Sequence, residues 1–338
     1  MTDNTICSMK SGYVTKLNLI DTQVAIKLCK DTFERKLAEK LNILRVSAPL
    51  FVPSGSGLND NLNGVERPVA FDVKETGLVA EIVHSLAKWK RHALASYGFT
   101  AGTGLYTDMN AIRRDETADC LHSIYVDQWD WEKVINESER NLSVLKATVN
   151  DIYSALIATE SALYEAFPCL TPWLKKSVTF ITSQELEDAY PDLTPSQRET
   201  EIAKKHGSVF VMQIGCRLRS GKKHDNRAPD YDDWALNGDL LVYYPVLQRA
   251  VEISSMGIRV DKTSLLSQLE AENALDRLSL PFHKALMDDK LPLSMGGGLG
   301  QSRICMLLLQ KAHIGEVQAS LWPEDVISDC KKKNVFLL

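Results

Sequence analysis

The sequence predicts an α/β fold of the α+β kind: a mostly antiparallel central sheet flanked by helices. Three observations carry that expectation. The apolar segments Asp239–Val246 and Val251–Val260 are rich in Val, Leu, Ile and Tyr, and the gap between them is too short for a crossover helix, so they must pair antiparallel. Other strand-like segments also follow one another without intervening helices, which disfavours a doubly wound parallel sheet. Long segments with apolar spacing near 3.6 supply the helices that cover the sheet.

Asp21 and Thr22 stand as caps before Val24, Leu28, Phe33, Leu37 and Leu41, the stripe of a first helix. Leu44, Val46, Ala48, Leu50 and Val52 then alternate with Arg45, Ser47, Pro49, Phe51 and Pro53, a strand whose prolines suit an edge or an interface. Ile82, Leu86, Trp89, Ala93 and Tyr97 mark a second helix ended by Gly98, with Lys88, Lys90 and Arg91 expected around its sides. The longest stripe runs Leu142, Leu145, Val149, Ile152, Leu156, Leu163, Phe167 and stops at Pro168. Thr194, Pro195 and Gln197 read as N-cap, first-turn proline and capping-box partner of a helix closed by Gly207, with strands on either side at Val178–Thr182 and Ser208–Leu218. Gly296–Gly300 reads as a turn into an apolar helix over Ile304–Leu309. No repeat or linker divides the chain, so residues 1–20 are expected to form an arm and 21–338 a single domain.

Composition narrows the function classes. With 338 residues, 44% apolar and 25% charged, the chain has the make-up of a folded protein of enzyme size. Lys plus Arg number 39 against 44 Asp plus Glu, so the net charge of −5 gives no global reason to bind nucleic acid or anionic lipid. Seven scattered cysteines without a Cys-x-x-Cys pair indicate neither a zinc knuckle nor a disulfide framework, and they read as reduced thiols in a cytoplasmic protein. No segment has the apolar length of a membrane span or a signal peptide, so the Asn-x-Ser sequons at Asn136 and Asn141 read as chance.

Four segments could carry chemistry. Gly296-Gly297-Gly298-Leu299-Gly300-Gln301-Ser302-Arg303 lets backbone approach a ligand closely, and Arg303 can meet phosphate or a purine; the plainer reading is a tight turn with a surface arginine. Arg113-Arg114-Asp115-Glu116, followed by His122–Asp130, makes a hairpin in which Gln128 and Asp130 face the same way. Arg113 at its end could clamp a nucleotide, or Arg113 to Glu116 could simply be a solvated charged turn. Val251–Arg259 carries Glu252, and its neighbour strand carries Asp239, so two carboxylates could share Mg²⁺ with a nucleotide phosphate, unless Asp239 merely follows a turn at Asn237-Gly238. Asp225–Trp234 packs acids and aromatics into a loop suited to recognition. No histidine pair or Gly-x-Ser-x-Gly elbow supports a zinc or serine hydrolase.

In this order, the helix and proline-ended strand, arginine hairpin, acid-bearing strand pair and Gly-rich segment ending in arginine resemble motifs one, two and three of the class II aminoacyl-tRNA synthetase core. The strings His84–Arg91, Gly104–Thr107, Tyr125–Trp131, Arg227–Trp234 and Ser254–Arg259 resemble more closely one family of that superfamily, the ammonia-dependent asparagine synthetases, from about Thr22 to Trp322. The resemblance implies a homodimer that adenylates the β-carboxylate of aspartate with ATP and lets ammonia displace AMP. It implies an aspartate pocket of Asp60, Ser85, Lys90, Gln128, Asp130, Asp232, Ser255 and Arg259. It implies an ATP site of Arg113, Ser123, Val126, Glu252, Ile253, Gly298 and Arg303, with Mg²⁺ at Asp239 and Glu252. The catalytic set is then Arg113, Asp60, Gln128 and Arg303, with Asp60 the candidate base for ammonium. Asp115 stands where synthetases more often hold glutamate, and the segment after Trp234 is shorter than in many relatives. Ammonium is the expected nitrogen donor, because Cys7 sits in a polar arm far from any histidine. An aminoacylating enzyme and a non-catalytic amino-acid sensor are the alternatives on the same core; the first would be expected to add an anticodon-binding domain, the second to lose Arg113, Glu252 or Arg303.

Overall fold

The computed structural model describes residues 12–60, 62 and 66–338, so the expectation about Cys7 lies outside it. Helix α1 spans Leu19–Leu41, two residues earlier than the sequence indicates, because Asn18 accepts the Asp21 amide as N-cap. The preceding residues are tied down: Leu17 is buried in the main core, Tyr13 donates to Glu316, and Lys311 donates to Thr15. Phe33, Leu37 and Leu41 face inward as expected, whereas Val24 is 56% exposed.

The single strand expected over 44–52 is two. β1 (Ile43–Arg45) pairs in parallel with the later strand β5, while β2 (Phe51–Pro53), β3 (Ala70–Val73) and β4 (Leu78–Ile82) form a separate three-stranded sheet in the order β2-β4-β3. Val46 donates to Tyr106, and the chain then leaves the first sheet ahead of Pro49, which has no amide hydrogen to offer a ladder. Helix α2 (Ala87–Tyr97) ends on Gly98 in the left-handed region, as read.

β5 (Gly104–Ile112) and β6 (Tyr125–Val134) make the arginine hairpin. α3 (Leu142–Ala166), capped by Asn141, buries the expected stripe against α1. β7 (Thr179–Thr182), α4 (Ser183–Ala189), α5 (Pro195–His206) and β8 (Ser208–Met212) follow, and α5 has the capping box of Thr194 and Gln197 with both reciprocal bonds formed. β9 (Asp232–Tyr244) and β10 (Arg249–Arg259) are the antiparallel pair, with α6 (Lys262–Ala271) and α7 (Pro281–Met287) after them. Gly296–Gly300 is not a turn: it belongs to β11 (Ser294–Gly300), a strand between β6 and β10 that runs directly into α8 (Gln301–Leu308). α9 (Glu324–Lys332) closes the chain.

The large sheet has eight strands in the order β1-β5-β6-β11-β10-β9-β8-β7, antiparallel except for the parallel pair at each edge. α1, α3 and α8 cover one side around Phe33, Trp129, Ile152 and Met306, with the Phe33 and Trp129 rings 4.8 Å apart. Among the described residues no helix is long and apolar enough to cross a membrane.

Candidate active site

The central strands build the site by register. Asp130, Gly298 and Ser255 lie opposite one another across β6, β11 and β10, and Gln128 faces Gly300, so Gln128, Asp130 and Ser255 share one face. The neighbouring row is Glu132, Gly296 and Gly257. Two glycines leave a trench in that row. A Cβ on Gly296 would lie 2.6 Å from Arg259 Nη2 and 2.7 Å from Glu132 Oε2, and one on Gly257 would lie 3.0 Å from the Asp232 carboxylate.

Arg259 lies in the trench. It donates to Glu132 Oε2 through Nε (3.1 Å) and Nη2 (2.8 Å), and to Asp232 through Nη1. Ser294 satisfies the other Glu132 oxygen at 2.8 Å, and the Tyr231 ring lies 5.8 Å from the guanidinium carbon. Burial alone would favour a neutral guanidine, but the two carboxylates outweigh it and hold the Arg259 pKa above its ordinary value. Burial moves the Asp232 carboxyl upward, against the pull of Arg259, with Glu132 adding to the rise.

Lys88, Lys90 and Arg91 do not ring the sides of α2; all three are buried. Their charges are taken up internally. Lys90 pairs with Asp130 and donates to the Gly297 carbonyl at 3.2 Å, and burial holds its pKa below the usual lysine value despite the Asp130 charge. Arg91 donates to the Pro292 and Val260 carbonyls.

Asp60 is 3% exposed and is held differently. Its Oδ2 accepts the Ser85 hydroxyl at 2.8 Å and its Oδ1 the Leu62 amide at 2.9 Å; no cationic side chain among the described residues pairs with it. Asn59 fixes the loop from behind, its Oδ1 accepting the amides of both Asp60 and His84 at 2.9 Å.

At the other end, Arg113 follows β5 and its buried Nε has no partner among the described residues, while Arg303 on α8 donates to the Glu252 carbonyl at 3.0 Å. Asp127 accepts the Ser302 amide at the start of α8 (3.0 Å) and pairs with Lys30 (3.0 Å). Ser123 donates to Ser320 at 2.6 Å. Asp115 is clasped on the rim by Arg67, whose amide and Nε donate to Oδ2 at 2.9 and 3.0 Å, and this clasp lowers the carboxyl pKa far below its ordinary range.

These groups enclose a cavity of about 500 Å³. Every candidate residue named from the sequence lines it except Asp239. Asp239 sits opposite Ser255 rather than Glu252, whose partner across the strands is Leu241, and its carboxylate accepts from Arg227. Its Oδ1 is buried without a partner. Burial raises the Asp239 pKa, Arg227 opposes the rise and Glu252 adds to it. Glu252 does line the cavity. A Mg²⁺ ion carried by nucleotide phosphates needs only one or two carboxylates, so Glu252 with the unpartnered Asp239 oxygen behind it fits such an ion. No group of three or more His, Cys, Asp or Glu among the described residues could hold a metal on its own.

The lining also includes Arg227, Tyr231, Asp127, Ser302, Ile314 and Gln318, and Glu132 stands behind Arg259. Arg227, Tyr231, Asp127 and Ser302 lie in strings singled out from the sequence, whereas Ile314, Gln318 and Glu132 do not. Gln318 belongs to no motif; it arrives by donating to Ser302 Oγ at 3.0 Å.

A sequence model described as aspartate-ammonia ligase matches residues 20–334. Aspartate–ammonia ligases of Clostridium perfringens and Ruminiclostridium cellulolyticum are 61% and 60% identical over 328 residues, covering 97% of this chain and 98% of theirs. The Bacillus cereus ligase is 57% identical over 325 residues, covering 96% and 99%. In fold, the chain is similar to asparaginyl-tRNA synthetase from Pyrococcus horikoshii complexed with asparaginyl-adenylate (TM-score 0.62, 16% identity, 90% of this chain and 70% of that one). It is likewise similar to the Entamoeba histolytica asparaginyl-tRNA synthetase in complex with asparaginyl-adenylate (TM-score 0.62, 14% identity, 88% and 66%). The fold is thus that of the class II synthetase core, and by sequence along nearly its whole length the chain belongs to the aspartate–ammonia ligase family.

Proposed function

We propose that the protein joins ammonia to L-aspartate at the expense of ATP, giving L-asparagine, AMP and diphosphate through a β-aspartyl-adenylate. The observation that carries this reading is the division of the cavity. Arg113 and Arg303 stand at one end with Glu252, and Lys90, Arg259 and the cation-free Asp60 stand at the other. Attack of the β-carboxylate on the α-phosphorus puts negative charge on the phosphoryl oxygens, which Arg113 meets, and on the leaving diphosphate, toward which Arg303 is directed. Mg²⁺ held by Glu252, with Asp239 behind it, would neutralise phosphate charge. Lys90 and Arg259 bind the amino-acid carboxylates, and their own acid partners keep both cations from swinging away. Ser123, Val126, Ile253 and Gly298 complete the nucleotide wall, and Ser255, Asp130 and Asp232 the amino-acid wall.

In the second half, ammonium must lose a proton before nitrogen attacks the acyl carbon and AMP leaves. Asp60 takes that proton, and Gln128 orients the nucleophile. Ser85 and Leu62 hold the Asp60 carboxylate without neutralising it. We further propose a homodimer: Ile20 and Val24 on α1 and Leu44 on edge strand β1 expose apolar side chains (71%, 56% and 63%) that a second copy would cover. A cytoplasmic setting, which supplies ATP and keeps thiols reduced, suits the six described cysteines, all free. Product analysis after mixing the protein with aspartate, ammonium and Mg-ATP tests the reading. Asparagine, AMP and diphosphate are expected; ADP and orthophosphate as sole nucleotide products refute adenylation, and equal turnover with glutamine refutes ammonium as the donor.

A further inference from the structure

Outside the cavity, three basic side chains converge on one buried oxygen. Asp230 Oδ2 accepts from His283 Nε2 at 3.0 Å, Arg277 Nη1 at 3.1 Å and Lys88 Nζ at 3.4 Å. Asp230 and His283 are fully buried and Lys88 is 2% exposed. Burial opposes the Asp230 charge, yet Lys88, His283 and Arg277 together hold its pKa far below the ordinary range, so it stays ionised. None of these four groups lines the cavity. A buried carboxylate with three donors contributes little net stability compared with apolar packing, but it fixes the relative placement of the segments it joins.

Those segments carry the amino-acid end of the site. Lys88 is two residues from Lys90 on α2, and Asp230 is followed by Tyr231, stacked on Arg259, and by Asp232. Gln268 brackets the same stretch by donating to the Pro229 and Asp232 carbonyls, each at 3.0 Å. His283 lies on α7, where Phe282 and Leu286 pack with Leu58 of the Asp60 loop. Leu280, the N-cap residue of α7, packs against the loop at Gly57, whose φ of +76° favours glycine: a Cβ there would be 3.0 Å from the Leu280 Cβ.

We infer that Asp230 is a positioning residue: by gathering Lys88, Arg277 and His283 it locks Lys90, Asp232 and the Asp60 loop into one frame and so sets the affinity for the amino-acid substrate. This rests on the aspartate reading of that end of the cavity, and the unmodified protein is the control: if it makes no asparagine, that reading has failed rather than this inference. In Asp230→Asn the KM for aspartate should rise about tenfold or more, as expected for a displacement approaching ~1 Å, while the KM for ATP stays within about twofold. His283→Gln keeps the Lys88 and Arg277 pairs, so it should fold even if Asp230→Asn does not, and should raise the aspartate KM in the same selective way. A folded variant with the parental aspartate KM, or one in which both KM values rise together, overturns the inference.

Discussion

Placing a methyl group at Gly296 and then at Gly298 separates two uses of glycine in one strand. At Gly296 the added carbon would be 2.6 Å from the Trp131 carbonyl, 2.6 Å from Arg259 Nη2 and 2.7 Å from Glu132 Oε2. Against an ordinary contact of ~3.5 Å each shortfall is about 0.8–0.9 Å. The carbonyl belongs to the neighbouring strand and cannot move without opening the β6–β11 ladder, so Gly296→Ala should cost the about 1–3 kcal/mol of an overpacked site. At ~2–4 °C per kcal/mol for chains of 150–250 residues, and somewhat less for this longer one, the melting temperature should fall by several degrees. Arg259 must shift as well, and the aspartate KM should rise. At Gly298 the first atom met is Gln128 Oε1 at 2.5 Å, the end of a side chain that can rotate away. Gly298→Ala should therefore melt close to the parent while losing turnover, because Gln128 has left its place. Thermal unfolding and steady-state asparagine formation, run on both variants, read the contrast. A Gly296→Ala protein with parental melting and aspartate KM would show that Gly296 does not provide the trench for Arg259, and a Gly298→Ala protein with parental kcat would show that Gln128 is not needed for turnover.

Asp60→Asn keeps the Ser85 and Leu62 contacts in shape but cannot take a proton, so aspartate-dependent exchange of label between ATP and diphosphate should persist while asparagine formation is largely lost; equal loss of both assigns Asp60 to binding or adenylation. His313 is buried against Trp322 and accepts the Gly315 amide on Nδ1 at 3.0 Å, and burial lowers its pKa to about 4, with Asp119 and Asp329 opposing the fall. The unfolded chain therefore gains a proton near the ordinary 6.5 while the folded one resists until about 4, so stability should drop as pH falls across that window. His313→Asn, whose amide oxygen can accept the same bond without titrating, should flatten the slope in thermal unfolding; an unchanged slope would refute the assignment. Sedimentation should give an isologous dimer, and a stable, active monomer at micromolar concentration contradicts the proposed interface.

What could be read from the sequence follows the range of the interactions involved. The α5 capping box was legible because its reciprocal bonds join residues three apart, and the β9–β10 pairing because the connection leaves no alternative. The stripe of α1 was legible at Phe33, Leu37 and Leu41, while Val24 was misplaced, since apolar spacing does not distinguish a face meeting the core from one left open to a partner. The burial of Lys88, Lys90 and Arg91 was hidden, because each is compensated by groups distant in sequence: Lys90 by Asp130, Arg91 by carbonyls near 260 and 292. The Gly-rich stretch misled in a specific way. Glycine was read as freedom to turn, where the fold uses its missing side chain in a central strand to let Arg259 lie flat over the sheet. Glu132 was passed over for the same reason of range, its partner Arg259 being 127 residues away.

The acids around the cavity are not equivalent, and their partners give each a place in the chemistry. Asp130 is neutralised by Lys90, and Asp232 and Glu132 by Arg259. A buried carboxylate already matched to an internal cation has little to gain from a cationic ligand, and separating the pair would cost several kcal/mol. These acids therefore orient Lys90 and Arg259, the cations proposed to receive the substrate carboxylates. Among the described residues the Asp60 carboxylate receives only a hydroxyl and an amide, and no cationic side chain pairs with it. At the amino-acid end of the cavity a cation would gain most by settling there, and ammonium is a small cation that must also surrender a proton. In the proposed reaction, pre-pairing Asp130, Asp232 and Glu132 would do for selectivity what a dedicated ammonium cage does: it would leave Asp60 as the carboxylate without a cation at the amino-acid end, a base placed where nitrogen must become nucleophilic.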